Sequence, residues 1–150
     1  MSSESKPLGS EDKSGAEFVR EMLKGDNTFG INFDRIQWTE NGYVIIEFLF
    51  CDPKQFDRGI TPYNSHPNKY FFKNSQKFIQ LWRLANIINA KLYLVNYTEK
   101  GNDFEDEILL MEVRTINKDQ SEPVKTTYEY FTRNEFSDWF RELNAKGNHA

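Results

Sequence analysis

The sequence lacks most of the features that build disulfide-linked, zinc-stabilised and membrane-anchored proteins. Its 150 residues include one cysteine, Cys51, and two histidines. A single cysteine cannot form an internal disulfide, and this set of side chains cannot populate a standard structural zinc site. No apolar run approaches the roughly 20 residues of a membrane span, and the N-terminal stretch MSSESKPLGSEDKSG has no apolar signal-peptide core. We therefore expect a soluble, cytoplasmic protein with no membrane partner.

Several common enzyme motifs are absent as well. There is no glycine-rich phosphate loop, no G-x-S-x-G elbow and no dinucleotide-binding fingerprint. Cys51 would need a histidine such as His66 to act as a nucleophile, and a lone cysteine at the end of a strand is more often packed in the core. The tripeptide that begins at Asn96 matches a glycosylation acceptor, but it lies inside a predicted strand and is read as a coincidence.

The charge is unevenly distributed. The net charge is −4, yet residues 53–98 contain seven basic side chains against Asp57 alone, which gives that segment +6. A local basic segment of this kind suits contact with a phosphate backbone, although runs of charge are usually solvated faces. The same segment offers aromatic and basic side chains that would form a base-stacking platform, unless Tyr70 and Phe71 belong to the core. Its members are Tyr63, His66, Lys69, Tyr70, Phe71 and Lys73.

The N-terminal third predicts a tail, a helix and a hairpin. Residues 1–13 are predicted to be a flexible tail, and residues 14–146 a single globular domain. Ser14 and Glu17 form the pattern of a capping box that opens a short amphipathic helix ending at Gly25. The runs INFDRIQW and YVIIEFLF flank TENG, and an Asn-Gly turn between two β-rich runs is a strong hairpin signal.

The remaining segments predict a sheet with covering helices. Residues 51–68 are dense in turn formers and predict a long loop, followed by a short strand at KYFF. The periodicity of SQKFIQLWRLANIIN predicts a central helix, and LYLVNYT, ILLMEVRTI and VKTTYEYF predict three further strands. Thr132 and Glu135 form a capping box for a last helix. This order indicates an α/β (α+β) fold class, with a mixed β-sheet flanked by helices.

Two carboxylates are expected to meet on this sheet. Alternation places Glu47, at the centre of the second hairpin strand, on the face that Asp34 occupies on the first. If all four residues of TENG form the loop, the numbers of paired residues on the two strands sum to 81, and Asp34 lies opposite Glu47. If Asn41 and Gly42 alone form the loop, the two carboxylates are diagonal neighbours. A bulge or a three-residue loop would separate them. Two adjacent carboxylates cannot both ionise cheaply unless a proton or a cation lies between them. A divalent cation would satisfy both.

These residues resemble the PD-(D/E)XK nuclease superfamily, which has the restriction-endonuclease-like fold. In that family an Asp and an acidic residue on adjacent strands hold Mg²⁺ for phosphodiester hydrolysis, often aided by a Glu on the preceding helix. The resemblance spans roughly residues 16–98. It implies that Asp34 and Glu47 hold Mg²⁺ or Mn²⁺, that Glu17 assists, and that the chain adds a C-terminal strand and helix to a restriction-endonuclease-like core.

Two positions depart from the family pattern. Asp34 follows phenylalanine instead of proline, and Leu49 stands where the family has a lysine. That ammonium positions the attacking water and stabilises charge on the phosphoryl oxygens. Some family members carry it on the following helix, and Lys77 fits this role because its stripe of the predicted helix faces the sheet. Lys73 and Lys54 are weaker substitutes.

The resemblance thus implies a metal-dependent endonuclease that hydrolyses phosphodiester bonds in DNA or RNA, with Lys69, Lys73 and Lys77 contacting the nucleic acid. Two other functions stay open. A non-catalytic module with a degenerate nuclease fold would bind a nucleic acid or a protein. A homodimer or a protein partner stays open for either function. In a structural or assembly protein, Glu47 would form a salt bridge with Arg35 or Lys77, and the site would hold no metal.

Overall fold

A computed structural model describes residues 13–149, with side chains to residue 147. The predicted tail lies outside the described residues except for Lys13. The chain divides into two compact units, the first ending at residue 32 and the second beginning at residue 33, and the single domain expected over residues 14–146 stays a prediction. Among the described residues, the first unit contains one α-helix, and the second contains the sheet and two further α-helices.

The helix of the first unit, α1, spans Ser14–Leu23. Lys13 occupies its N-cap position, so the predicted capping box led by Ser14 is wrong. The helix ends where Lys24 and then Gly25 adopt positive φ angles of 52° and 91°, the left-handed conformation that ends many helices. Three of its apolar side chains, Phe18, Val19 and Met22, are exposed, and Leu23 is half-buried.

The second unit is built on one five-stranded mixed sheet whose strands lie in chain order. These strands are β1 (Arg35–Thr39), β2 (Gly42–Phe50), β3 (Lys91–Tyr97), β4 (Ile108–Ile116) and β5 (Val124–Phe131). Only β2 and β3 are parallel, and α2 (Ser75–Ile87) lies in the connection between them. The other neighbours are antiparallel. The α+β class, with a mixed sheet and flanking helices, is therefore confirmed.

The β1–β2 hairpin has the register in which paired residue numbers sum to 81. Trp38 pairs with Tyr43 and Arg35 with Ile46, so the next position beyond the ladder brings Asp34 level with Glu47. The turn is stabilised by the hydroxyl of Thr39, which donates to the carbonyl oxygen of Gly42 at 2.8 Å. Gly42 has a φ of 110°, which a side chain would strain. Of the predicted loop arrangements, the one that opposes the two carboxylates is formed.

The sheet is covered on both faces, because its strands carry apolar side chains in both directions. α3 (Arg133–Ala145), which begins with the predicted Thr132–Glu135 capping box, packs on one face. Val44, Ile46, Val95 and Leu110 form the core there, under aromatic side chains. α2 packs against β3 and β4 on the other face. Its buried side chains are Phe78, Leu81 and Ala85, and the buried residues of the sheet on this face include Ile45, Leu92, Leu94 and Met111.

A loop over residues 51–74 connects β2 to α2. It contains three short 3₁₀ turns, Pro53–Arg58, Pro67–Lys69 and Phe71–Lys73, so the predicted strand at KYFF is wrong. The loop is fixed to the sheet at both ends of β5. Asn68 exchanges side-chain hydrogen bonds with the backbone of Val124 at 2.8 and 3.0 Å, and the hydroxyl of Tyr63 donates to the carbonyl of Phe131 at 3.0 Å. This long loop is therefore anchored to the sheet at defined points.

A candidate active site beside the β1–β2 hairpin

Glu47 is a buried carboxylate at the centre of β2. Only 3% of the residue is exposed, and it pairs with Leu94 across the parallel β2–β3 ladder. Its position in the strand directs it to the face covered by α2, as alternation predicts. Removing an ionised carboxylate from water costs several kcal/mol unless partners compensate, so the neighbours of Glu47 decide its charge.

Lys77 is the first of these neighbours. It is the third residue of α2, one turn before the buried Leu81, and this spacing places both side chains on the helix face that meets the sheet. The ammonium Nζ lies 2.6 Å from Oε1 of Glu47. The lysine side chain remains 37% exposed while that of Glu47 is 4% exposed, so the ion pair is open to solvent from the lysine side.

Asp34 is the second neighbour. Its backbone N–H donates to Oε2 of Glu47 at 3.2 Å, and its own carboxylate oxygen Oδ2 accepts from the backbone N–H of Phe48 at 2.8 Å. The two carboxylates therefore belong to one hydrogen-bonded cluster that closes the end of the β1–β2 ladder. Asp34 itself is exposed, so it presents its carboxylate at the surface next to the buried one.

The environment disfavours the ionised form of Glu47. Burial raises the pKa of Glu47, and the negative charge of Asp34 raises it further. The hydrogen bond and the positive charge of Lys77 act in the opposite direction without cancelling the effect. A raised carboxyl pKa beside a second carboxylate is typical of sites that bind a proton or a cation, although structural ion pairs also perturb pKa values.

Glu47 and Lys77 lie on the wall of an open cavity of about 460 Å³, and Asp34 is not part of its lining. Polar side chains on this wall come from β2, the long loop, α2 and β3. They include Glu47, Gln55, Ser65, Lys73, Lys77 and Asn96. Of the lysines predicted to contact nucleic acid, Lys73 and Lys77 line this cavity, whereas Lys69 is exposed at the end of the second 3₁₀ turn and does not.

Asn96 is a site residue that the sequence interpretation missed. It is 1% exposed, and its amide Nδ2 donates to the carbonyl oxygens of Pro62 at 3.0 Å and Ser65 at 2.7 Å. These two bonds fix the amide orientation, because the flipped form would set Oδ1 against both carbonyls. Oδ1 has no hydrogen-bond partner among the described residues. A polar residue within the apolar run LYLVNYT was the signal that could have identified it.

The oxygen atoms of the cluster can be compared with the needs of Mg²⁺. Both oxygens of Glu47 and Oδ2 of Asp34 accept the bonds given above. Within residues 13–149 no group of three or more His, Cys, Asp or Glu side chains is arranged to hold a metal. Mg²⁺ is usually bound by one or two carboxylates, with water and substrate phosphate as the other ligands. Two adjacent carboxylates fit that pattern.

Two other predicted groupings have different outcomes. Cys51 is buried, and its sulfur lies near Gln55 and the carbonyl of Ile60. The ring of His66 has other partners: Nδ1 accepts from the N–H of Asn68, and Nε2 lies 3.3 Å from the hydroxyl of Thr126. The cysteine–histidine pair is therefore not formed. Of the predicted stacking platform, Phe71 is fully buried in the core, and Tyr70 lines the cavity.

Glu17, the predicted assisting carboxylate, lies in the first turn of α1 in the first unit and is exposed. Its role stays a prediction. The salt bridge of Glu47 is formed with Lys77; Arg35 instead bonds Gln37 and Asn144.

Comparison of the chain with protein-family models, with curated proteins and with solved structures gives no significant match. In the part of the chain that the structure describes, no helix combines the length and apolar character needed to cross a membrane.

Proposed function

We propose that this protein is a Mg²⁺- or Mn²⁺-dependent nuclease that hydrolyses phosphodiester bonds in DNA or RNA. One observation carries the proposal: Asp34, Glu47 and Lys77, from three separate segments of the sequence, belong to one hydrogen-bonded and ion-paired cluster, and Glu47 and Lys77 line an open cavity. Two carboxylates and a lysine are the groups that metal-assisted phosphodiester hydrolysis requires. A cytoplasmic location is part of the proposal, since a lone thiol suits a reducing compartment.

Asp34 and Glu47 supply the oxygen ligands in this proposal. A divalent cation bound there would lower the pKa of a coordinated water and neutralise charge on the leaving oxygen. The two side chains hold fixed positions because each is bonded to a backbone N–H of the hairpin, Glu47 to that of Asp34 and Asp34 to that of Phe48. Such support keeps ligating groups within the narrow geometry that catalysis needs.

Lys77 has the role of the lysine that the family carries two positions after the second acidic residue. Its stem lies along the cavity wall and more than a third of the side chain is exposed, so the ammonium can reach a phosphoryl oxygen in the cavity while its helix stays packed. Lys73, on the same wall, would contact a neighbouring phosphate. Lys69 would extend this contact along the nucleic acid.

A non-catalytic binding module is the second candidate, and a specific observation favours it. The ammonium of Lys77 bonds directly to the carboxylate of Glu47 and so neutralises the buried charge without any metal ion. Leu49 also leaves the usual lysine position apolar. Under this function the cavity and Lys69, Lys73 and Lys77 hold a nucleic acid but do not cleave it.

The experiment measures cleavage and binding on the same preparations. Labelled single- and double-stranded DNA and RNA are incubated with the protein and Mg²⁺ or Mn²⁺, with EDTA as the blank. The variants are Asp34→Asn, Glu47→Gln and Lys77→Ala, and Glu40→Gln at the exposed hairpin tip is the matched control. Cleavage by the wild type and Glu40→Gln that is lost in Asp34→Asn and Glu47→Gln supports the nuclease.

Binding of the same substrates is followed by fluorescence anisotropy at two salt concentrations. Binding that weakens with salt and is not accompanied by cleavage supports the module and contradicts the nuclease. If Lys77→Ala cleaves as fast as the wild type, the role given to Lys77 is wrong even if the two carboxylates are essential.

A further inference from the structure

The two edges of the sheet are protected very differently. β1 has five residues, and the C-terminal 3₁₀ turn Lys146–His149 lies against it. A Cβ added at Gly147 would come within 3.3 Å of the carbonyl oxygen of Trp38, which shows how closely the turn approaches this strand. Short edge strands and covering segments are the usual means of preventing edge-to-edge association.

β5 forms the opposite edge, and the long loop is bonded to its two ends: Asn68 bonds both backbone groups of Val124, and the hydroxyl of Tyr63 donates to the carbonyl of Phe131. The strand is eight residues long, pairs only with β4, and most of its residues are exposed. Tyr128 and Tyr130 are 55% and 56% exposed, and their rings contact each other with centroids 5.4 Å apart. A long edge strand with exposed aromatic side chains offers unpaired backbone groups together with apolar surface for a partner.

The charges on β5 indicate which partner fits. Lys125 and Glu129 are both exposed and are four positions apart, so they lie on the same face of the strand. Two β5 strands can pair antiparallel about a two-fold axis. If this axis passes through Thr127, Lys125 of each copy lies opposite Glu129 of the other, which gives two ion pairs. Opposite charges directly across an antiparallel pair are stabilising.

Other registers of the same pair lack this complementarity. An axis through Lys125 or through Glu129 would oppose like charges, and an axis through Thr126 or Tyr128 would leave both charges opposite uncharged residues. The axis through Thr127 also centres the pairing between the bonded ends of the strand, since it pairs residues 125–129 of each copy and leaves Val124, whose backbone groups are bonded to Asn68, outside the contact.

We propose that β5 pairs antiparallel with β5 of a second copy of this chain, about an axis through Thr127, and so joins two five-stranded sheets into one of ten strands. The contact uses no residue of the proposed nuclease site, whose residues come from β2, α2, the long loop and the segment before β1. Its success or failure therefore leaves the function proposed above untouched.

Sedimentation velocity over a range of concentrations tests the dimer. We expect a monomer–dimer equilibrium whose dissociation constant rises about tenfold in Glu129→Lys and in Lys125→Glu, because like charges then face each other. The double variant Lys125→Glu/Glu129→Lys should restore the wild-type dissociation constant, since it regenerates both ion pairs. Glu40→Lys, a charge reversal at the hairpin tip beside β1, is the matched control and should leave it unchanged.

Crosslinking tests the register separately. Directly opposed residues in an antiparallel pair have Cβ atoms about 5 Å apart, so Thr127→Cys should join two chains under mild oxidation. Thr126→Cys is the control, because it faces Tyr128 of the second copy, and the native Cys51 is buried. A chain that stays monomeric at all concentrations would overturn the proposal. So would a dimer that tolerates Glu129→Lys, or one that crosslinks at position 126 instead of 127.

Discussion

Asp34 and Glu47 are bonded to each other's strands in a crosswise manner. The N–H of Asp34 donates to the carboxylate of Glu47, and the carboxylate of Asp34 accepts from the residue that follows Glu47. The pair thus does two things at once: it closes the hairpin ladder, and it holds two like charges close together. A structural role and a chemical role can be separated by choosing substitutions that remove only one of them.

Substitutions of Asp34 separate these roles. Asp34→Asn keeps an oxygen that accepts from Phe48, so we expect its free energy of unfolding to stay within about 0.5 kcal/mol of the wild type. Asp34→Ala loses this hydrogen bond and should cost about 0.5–1.5 kcal/mol. Both variants should lower Mg²⁺-dependent cleavage by about a hundredfold, the effect of removing a group that stabilises transition-state charge. Urea denaturation and a cleavage assay measure the two effects. Full cleavage by Asp34→Asn would show that the carboxylate is only structural.

The raised pKa of Glu47 predicts how stability depends on pH. An unfolded glutamate has a pKa of about 4.3. Because the pKa of Glu47 is higher in the folded state, there is a pH range in which the folded protein still holds this proton and the unfolded protein has released it. The free energy of unfolding therefore falls as the pH rises through this range. Each unit of the shift contributes about 1.4 kcal/mol.

Glu47→Gln removes this titration. We therefore expect the stability of the wild type, relative to Glu47→Gln, to fall as pH rises from about 4 and to level off above the folded pKa. Urea denaturation of both proteins between about pH 4 and 8 measures the difference. A difference that is constant over this range, or that grows in favour of the wild type, would show that the pKa of Glu47 is not raised.

Lys77→Met should change stability and metal binding in opposite directions. The variant leaves Glu47 buried without its ammonium, which should cost about 1–3 kcal/mol, between the limits for exposed and fully buried ion pairs. It also frees Oε1 of Glu47, so Mg²⁺ should bind more tightly than in the wild type. The added stability from the ion follows RT ln(1 + [Mg²⁺]/Kd), about 1.4 kcal/mol at ten times Kd.

Thermal unfolding with and without Mg²⁺ measures both quantities for Lys77→Met. Lys73→Met is the control, since Lys73 lines the same cavity but is exposed and makes no salt bridge to a described carboxylate. No stabilisation by Mg²⁺ or Mn²⁺ in the wild type or in Lys77→Met would contradict the metal site.

Asn96→Ala should loosen the cavity wall. The amide of Asn96 donates to the carbonyls of Pro62 and Ser65, and its loss leaves both acceptors without this bond, at a cost of about 1–3 kcal/mol. Hydrogen exchange in residues 60–66 should become faster. Asn102→Ala, which removes comparable bonds to Thr98 and Glu99 in another loop, should not change exchange there. Equal exchange in the two variants would show that Asn96 does not hold the loop.

The parts of the site that were predictable depend on local periodicity. The alternation of YVIIEFLF directs Glu47 to one face of the sheet, and the TENG turn sets the register that brings Asp34 level with it. Helical spacing directs Lys77 toward the same face. Each of these relations is set within one element or one hairpin, where geometry follows from residue order.

The parts that were not predictable depend on contacts between distant segments. KYFF has strand-forming residues, but Pro67 begins a 3₁₀ turn there and Phe71 is buried in the core, so the segment has no strand to pair with. Asn96 was missed because its partners are carbonyl groups about thirty residues away in a loop whose path the sequence does not specify.

The loop over residues 51–74 belongs to two regions of the molecule at the same time. Ser65 and Gln55 form part of the cavity wall, while Asn68 and Tyr63, in the same loop, are bonded to the two ends of β5. One loop therefore forms the rim of the cavity, which is the part of its wall at Ser65 and Gln55, and is also bonded to the edge strand β5. A ligand that displaces this rim must also strain its attachments to the outermost strand, and a partner that stiffens that strand restricts how far the rim can open.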